Sequence, residues 1–196
     1  MLRRTLHLCG LVIFAMTVSS CLFDPEEKQD PPPPVDTGSF LPLTTEEAVL
    51  NNLQRCYNQR TQLPYYDELL DEAFVFYLDS GDVQNGAPES WDKQTELLYS
   101  GRLLDKNYTG DHKCNSLTLD IDFEDGVSWQ DVIPESAPDE IWRVAIVTYS
   151  FDVHLEGNDN FIAVPGSKAQ FTVRPIMVDG GKQWRLVEWR DLAGQG

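Results

Sequence analysis

Aromatic rings, several of them bearing hydroxyl or indole groups, are the residues of this chain best suited to chemistry. Tyr57, Tyr66, Phe76, Trp91, Tyr99, Tyr149, Phe151, Phe171 and Trp189 all fall on segments patterned as helix or strand. Walls of such rings suit an apolar small molecule or a lipid, and a core filled by the same rings is the alternative. Histidine offers less, since only His112, beside a loop cysteine, and His154, near a hairpin turn, lie beyond the N-terminal leader. Asp111-His112-Lys113-Cys114 contains metal-ligand types, but adjacent residues point apart and no second cluster has ligand spacing, so no metal site is expected. The acid-rich run Asp120 to Gly126 has the texture of a calcium loop. An EF-hand wants glycine at its sixth position, where Asp125 stands, and glutamate at its twelfth, where Asp131 stands. The interleaved Ile121 and Phe123 fit a half-buried strand better. Gly-x-Ser-x-Gly, a phosphate-cradling loop and His-Glu-x-x-His are all missing from the sequence, so neither a catalytic residue nor a cofactor is assigned.

The N-terminus carries an address. Arg3 and Arg4 precede an apolar run from Leu6 to Val18, too short to span a bilayer, and then Val18-Ser19-Ser20-Cys21. This segment resembles the bacterial lipobox, with Val18 where leucine is usual. The resemblance implies cleavage before Cys21, acylation of that residue, and membrane attachment through its chains, each buried methylene contributing about 0.8 kcal/mol. An ordinary secretory signal is the alternative, and both export the remainder. Leu22 rather than Asp after the cysteine implies the outer membrane, facing the periplasm, if the cell is Gram-negative.

Loss of residues 1–20 leaves 13 basic against 32 acidic residues, a formal charge of −19. Such a chain repels phosphate backbones, so nucleic acid is not an expected partner. Cys56 and Cys114 remain in the exported part. In an oxidising compartment they invite a disulfide, closing a loop of about 60 residues and stabilising by roughly 4 kcal/mol; two buried thiols are the alternative.

The elements that must position these groups follow from pattern. Residues 21–42 read as a lipidated cysteine and tether, with Pro31 to Pro34 favouring an extended polyproline rod. The folded domain, 43–196, opens on Thr44-Thr45-Glu46-Glu47, a helix cap followed by apolar residues at three- and four-residue spacing as far as Tyr57. A second helix follows Pro64, a strand covers Ala73 to Leu78, and Asp79-Ser80-Gly81-Asp82 breaks it. Pro88-Glu89-Ser90 signals a third helix with Trp91, Thr95, Leu98 and Arg102 on its stripe. Strict alternation then begins at Leu117, with later strands at Ile141 to Val153, Ala169 to Val178 and Gln183 to Leu192, the last two joined by a tight glycine turn. On the final strand Trp184 and Leu186 share one face while Val187 and Trp189 share the other, which points to a covered outer sheet face and a homodimer or another partner.

The fold class is α+β, a curved antiparallel sheet packed on three N-terminal helices. The chain resembles the nuclear transport factor 2-like superfamily, also called SnoaL-like or cystatin-like. The matching residues are Glu46-Glu47-Ala48 and Tyr57-Asn58, the Tyr66 to Leu70 helix leading into Phe74-Val75-Phe76, and Trp184 to Asp191. Ketosteroid isomerases of that superfamily place a tyrosine and a general-base carboxylate where this chain has Leu53 and Tyr77, so their mechanism does not carry over. The leading reading is a non-enzymatic, membrane-anchored binding module for a small apolar ligand or an envelope partner, its pocket lined by the aromatics named above. An enzyme using Tyr and Asp or Glu, and a structural dimerisation protein, are the alternatives.

Overall fold

The computed structural model describes residues 39–60, 63–156 and 161–192. The leader, Cys21, residues 22–38 of the tether and residues 157–160 of the turn expected at Glu156 to Asn160 lie outside the described residues. The chain order is α1 (Glu46–Gln59), α2 (Leu63–Leu69), β1 (Leu70–Tyr77), α3 (Ser80–Gln84), β2 (Ser90–Asp92), α4 (Lys93–Leu104), β3 (Cys114–Ile121), β4 (Gln130–Val132), β5 (Trp142–Leu155), β6 (Phe161–Val178) and β7 (Gly181–Asp191).

Helix α1 starts where Thr45, extended, accepts a hydrogen bond from the Ala48 amide at 3.2 Å, with Glu46 and Glu47 complementing the helix dipole. It ends at Arg60 in the left-handed region, φ 47°. The Arg60 guanidinium then reaches the carbonyls of Leu103 and Asp105, tying the C-terminus of α1 to that of α4. Residues before Leu43 also pack: Asn52 bonds both the amide and the carbonyl of Leu41 at 2.8 Å, and Phe40 stacks on Tyr65.

The strands form one curved, unclosed sheet in the order β2-β1-β7-β6-β5-β3, with β4 on β5. The expected curved antiparallel sheet is present, with one parallel pair, β1 with β7, because the β5, β6, β7 meander leaves β7 running in the direction of β1. Asp179 and Gly180, both at positive φ, make the two-residue β6–β7 turn, whose backbone twist matches that of the strands. Two further expectations need correction. Asp79 does more than break β1, since its side chain caps the five-residue helix α3. The third expected helix begins later, at Lys93 behind the Asp92 cap, because Trp91 is held in a strand opposite Phe76.

The final strand holds a larger difference. Thr172 lies opposite Glu188 but Val173 opposite Leu186, so Val187 is the extra residue of a β-bulge. Trp184, Leu186 and Trp189 therefore all join the core, and the two-faced alternation that pointed to a dimer is broken at this residue.

The far edge of the sheet is sealed by α1. Asn58 donates to the Leu119 carbonyl at 2.9 Å and accepts from its amide at 2.7 Å, while Gln54 accepts from the Ile121 amide at 2.7 Å. These side chains replace the neighbouring strand that β3 lacks on that side.

Candidate functional site

Three helices and β2 deliver polar groups to one buried point inside the curve of the sheet. Glu96 and Ser100 lie one turn apart on α4 and are both 3 % exposed. Tyr66 from α2 donates to Glu96 Oε1 at 2.7 Å, Ser100 donates to the same oxygen, and the Trp91 indole of β2 donates to Oε2 at 2.7 Å. Tyr57 from α1 completes the cluster, 3.0 Å from Ser100 Oγ, 3.2 Å from the Tyr66 hydroxyl and 3.5 Å from Glu96 Oε1. Burial first, and the Glu96 carboxylate second, hold both phenols well above the usual tyrosine range, so they stay protonated. Every contact Glu96 makes here is with a donor. Oε1 is saturated, whereas Oε2 accepts from Trp91 and keeps one acceptor position.

Above this floor stands a cavity of about 340 Å³, equal to about eleven waters of liquid. Phe76 and Trp91 form one wall, stacked at 4.6 Å, with Tyr99 edge-on to Trp91 at 5.5 Å. Trp189 forms the back, its ring centroid 5.2 Å from Phe76 and 6.3 Å from Tyr149. Phe151, Leu103, Ile162 and Val164 complete the apolar lining. Tyr99 and Ile162 are about half exposed, so the cavity opens to solvent. Asp82 and Asp191 sit at the mouth, and Tyr149 is hydrogen-bonded to Asp191. Burial, then the Asp191 charge, pushes the Tyr149 phenol up.

Of the aromatics singled out in the sequence, Tyr57, Phe76, Trp91, Tyr99, Tyr149, Phe151 and Trp189 thus line one cavity. Tyr66 lies beneath the floor and Phe171 behind Trp189, both wholly buried. Glu96, Ser100, Asp82 and Asp191 also line it and are not among the residues the sequence pattern singles out. The α4 stripe differs in register from the expected one: Leu98 is exposed, and the face turned inward is Glu96, Ser100, Leu104. The i, i+4 spacing of those three was the available signal, but a glutamate and a serine read as solvent face. Cys56 and Cys114 are buried thiols and not the disulfide; the Cys114 sulfur is turned to the Ser116 carbonyl at 3.3 Å. His112 is exposed, and His154 packs on Phe161. Among the described residues no group of three acidic, histidine or cysteine side chains is placed to hold a metal, and no helix is long and apolar enough to cross a membrane.

No protein-family model and no curated protein matches this sequence. The structure does have likenesses among solved structures. It is similar to a proposed aromatic ring hydroxylase from Novosphingobium aromaticivorans, at 8 % identity over 76 % of this chain and 85 % of that one, TM-score 0.50. It is similar also to an NTF2-like protein of unknown function from Pseudomonas putida, at 10 % identity over 74 % and 82 % of the two chains, TM-score 0.45. An NTF2-like protein with a cystatin-like fold from Novosphingobium aromaticivorans shares 10 % identity over 76 % and 79 %, TM-score 0.43.

The likeness is one of fold. The mixed α+β architecture, with helices held against a curved and unclosed sheet, is shared with the Novosphingobium structure of TM-score 0.50.

Chemically, the floor of the cavity is one carboxylate held among hydroxyl and indole donors. A general base needs a lone pair free to take a proton, and Glu96 gives most of its acceptor capacity to four neighbours. A general acid needs a pKa near ambient pH, and the phenols lie far above it.

Proposed function

We propose that this chain is an exported, lipid-anchored binding module whose cavity holds a small, largely apolar molecule. One observation carries the reading: an open, aromatic-walled cavity of about 340 Å³ ends on a pre-organised carboxylate with acceptor capacity left over. Ligand sites combine these features, an apolar lining and a few fixed polar groups. A filled core would leave no such space. Anchoring at Cys21 supplies the location, with the globular part presented at a membrane surface.

Two further readings are weaker. An enzyme of lyase or hydrolase type is favoured by Glu96 lining the cavity, but its lone pairs are largely engaged. Assembly through the outer sheet face loses its main support once the bulge accounts for Val187, which is already 6 % exposed within the single chain. A larger recess of about 620 Å³ between Arg60, Leu63 and Tyr108 has none of the aromatic enclosure or the buried network.

The test is a titration with the neutral fluorescent probe N-phenyl-1-naphthylamine, comparing the native protein with Val164→Trp, which adds an indole at an apolar lining position outside the Glu96 network. Saturable binding that the substitution removes supports the reading. Identical binding by a folded Val164→Trp protein refutes it.

A further inference from the structure

We infer that the ligand is a small organic cation, an amine or quaternary ammonium carried on an apolar body. This rests on the cavity being a binding site and names its chemical class. Three carboxylates, Glu96 at the floor and Asp82 and Asp191 at the mouth, belong to the lining, and among the described residues no lysine, arginine or histidine does. Between them lie the rings of two tryptophans, Trp91 and Trp189. Aromatic faces attract cations through the ring quadrupole, tryptophan most strongly, and cages of such rings are the usual receptor for methylated ammonium groups. The two attractions act on the same charge from different sides. Removal of water by the apolar walls strengthens both.

An anion would meet carboxylates at each end, against which the neutral indole N–H of Trp189, a buried donor without a hydrogen-bond partner among the described residues, offers no balancing charge. A neutral molecule would fit the walls, and a neutral donor could fill the open acceptor position of Glu96 Oε2, but neither would use the negative potential of the three carboxylates. The chain as a whole, at −17 formal charge, also steers cations toward its surface.

The experiment follows tryptophan fluorescence while the purified protein is titrated with three compounds of matched shape: benzyltrimethylammonium, its uncharged carbon isostere neopentylbenzene, and phenylacetate. The expected result is a cation bound at least about tenfold more tightly than the isostere, equivalent to about 1.4 kcal/mol, with phenylacetate weakest. Glu96→Gln should erase that preference. Because that substitution brings an amide donor toward the Trp91 indole and the variant's fold can suffer, Asp82→Asn at the exposed mouth serves as the second variant. It should weaken the cation about two- to fivefold and leave the isostere unchanged. Equal affinity for cation and isostere would overturn the cation assignment while leaving the cavity reading intact. Failure of all three compounds to bind at millimolar concentration would overturn both.

Discussion

Glu96 sits where glutamate is rarely found, nearly without solvent and surrounded by hydroxyl and indole donors. A buried carboxylate survives only if its lone pairs are occupied, so each donor stabilises the fold as well as shaping the site. Tyr66→Phe removes one charge-assisted hydrogen bond and should lower stability by about 2 kcal/mol in urea unfolding; a loss below about 0.5 kcal/mol would show that the bond contributes little. The phenols add a pH dependence whose sign is fixed. Tyr57, Tyr66 and Tyr149 have folded values raised above the ordinary value of 10.0. Below that value both states hold these protons and stability is complete. As pH climbs past 10 the unfolded chain releases protons that the folded chain keeps, so stability falls. Tyrosinate absorbance should therefore show a step that coincides with loss of circular dichroism, and full ionisation with the dichroism intact would contradict the burial. The sequence made the rings legible, because Trp and Tyr at element positions are informative by size alone. Glu96 was not legible, since hydrophobic periodicity cannot distinguish a glutamate facing solvent from one facing three donors supplied by other elements.

Helix α1 and strand β3 are coupled through Asn58, whose amide closes both backbone groups of Leu119. Leu119 is fully buried, so water does not readily replace those bonds. Asn58→Ala should cost about 2 to 3 kcal/mol and speed hydrogen exchange at the Leu119 amide before that of the central strands. Unchanged exchange there would mean that β3 needs no clamp. Helix α1 could be read from its cap and spacing, and β3 from alternation, because local chemistry sets both. The strand at Trp91 and the bulge at Val187 could not. The first exists because Trp91 stacks on Phe76 across the sheet, and the second because Leu186 and Trp189 both gain burial when one residue is skipped. Those are tertiary gains that override local pattern.

On the proposed reading the chain joins an export address to a ligand-binding domain. Its acidity is consistent with both parts of that proposal, since a net formal charge of −17 favours solubility and attracts cations toward an acid-rimmed cavity. Cys21→Ala should release the protein from membrane fractions into the soluble envelope fraction, and unchanged fractionation would remove the lipid anchor from the account. The central claim is that the cavity holds a molecule. It is met most directly by a high-resolution structure of the protein purified from its natural compartment, so that any bound molecule travels with it. Density in the cavity against Trp91 and Trp189, with a polar or charged group toward Glu96 Oε2, is the predicted result. A cavity closed by its own side chains, Tyr99 and Ile162 folded inward over Trp189, would contradict it.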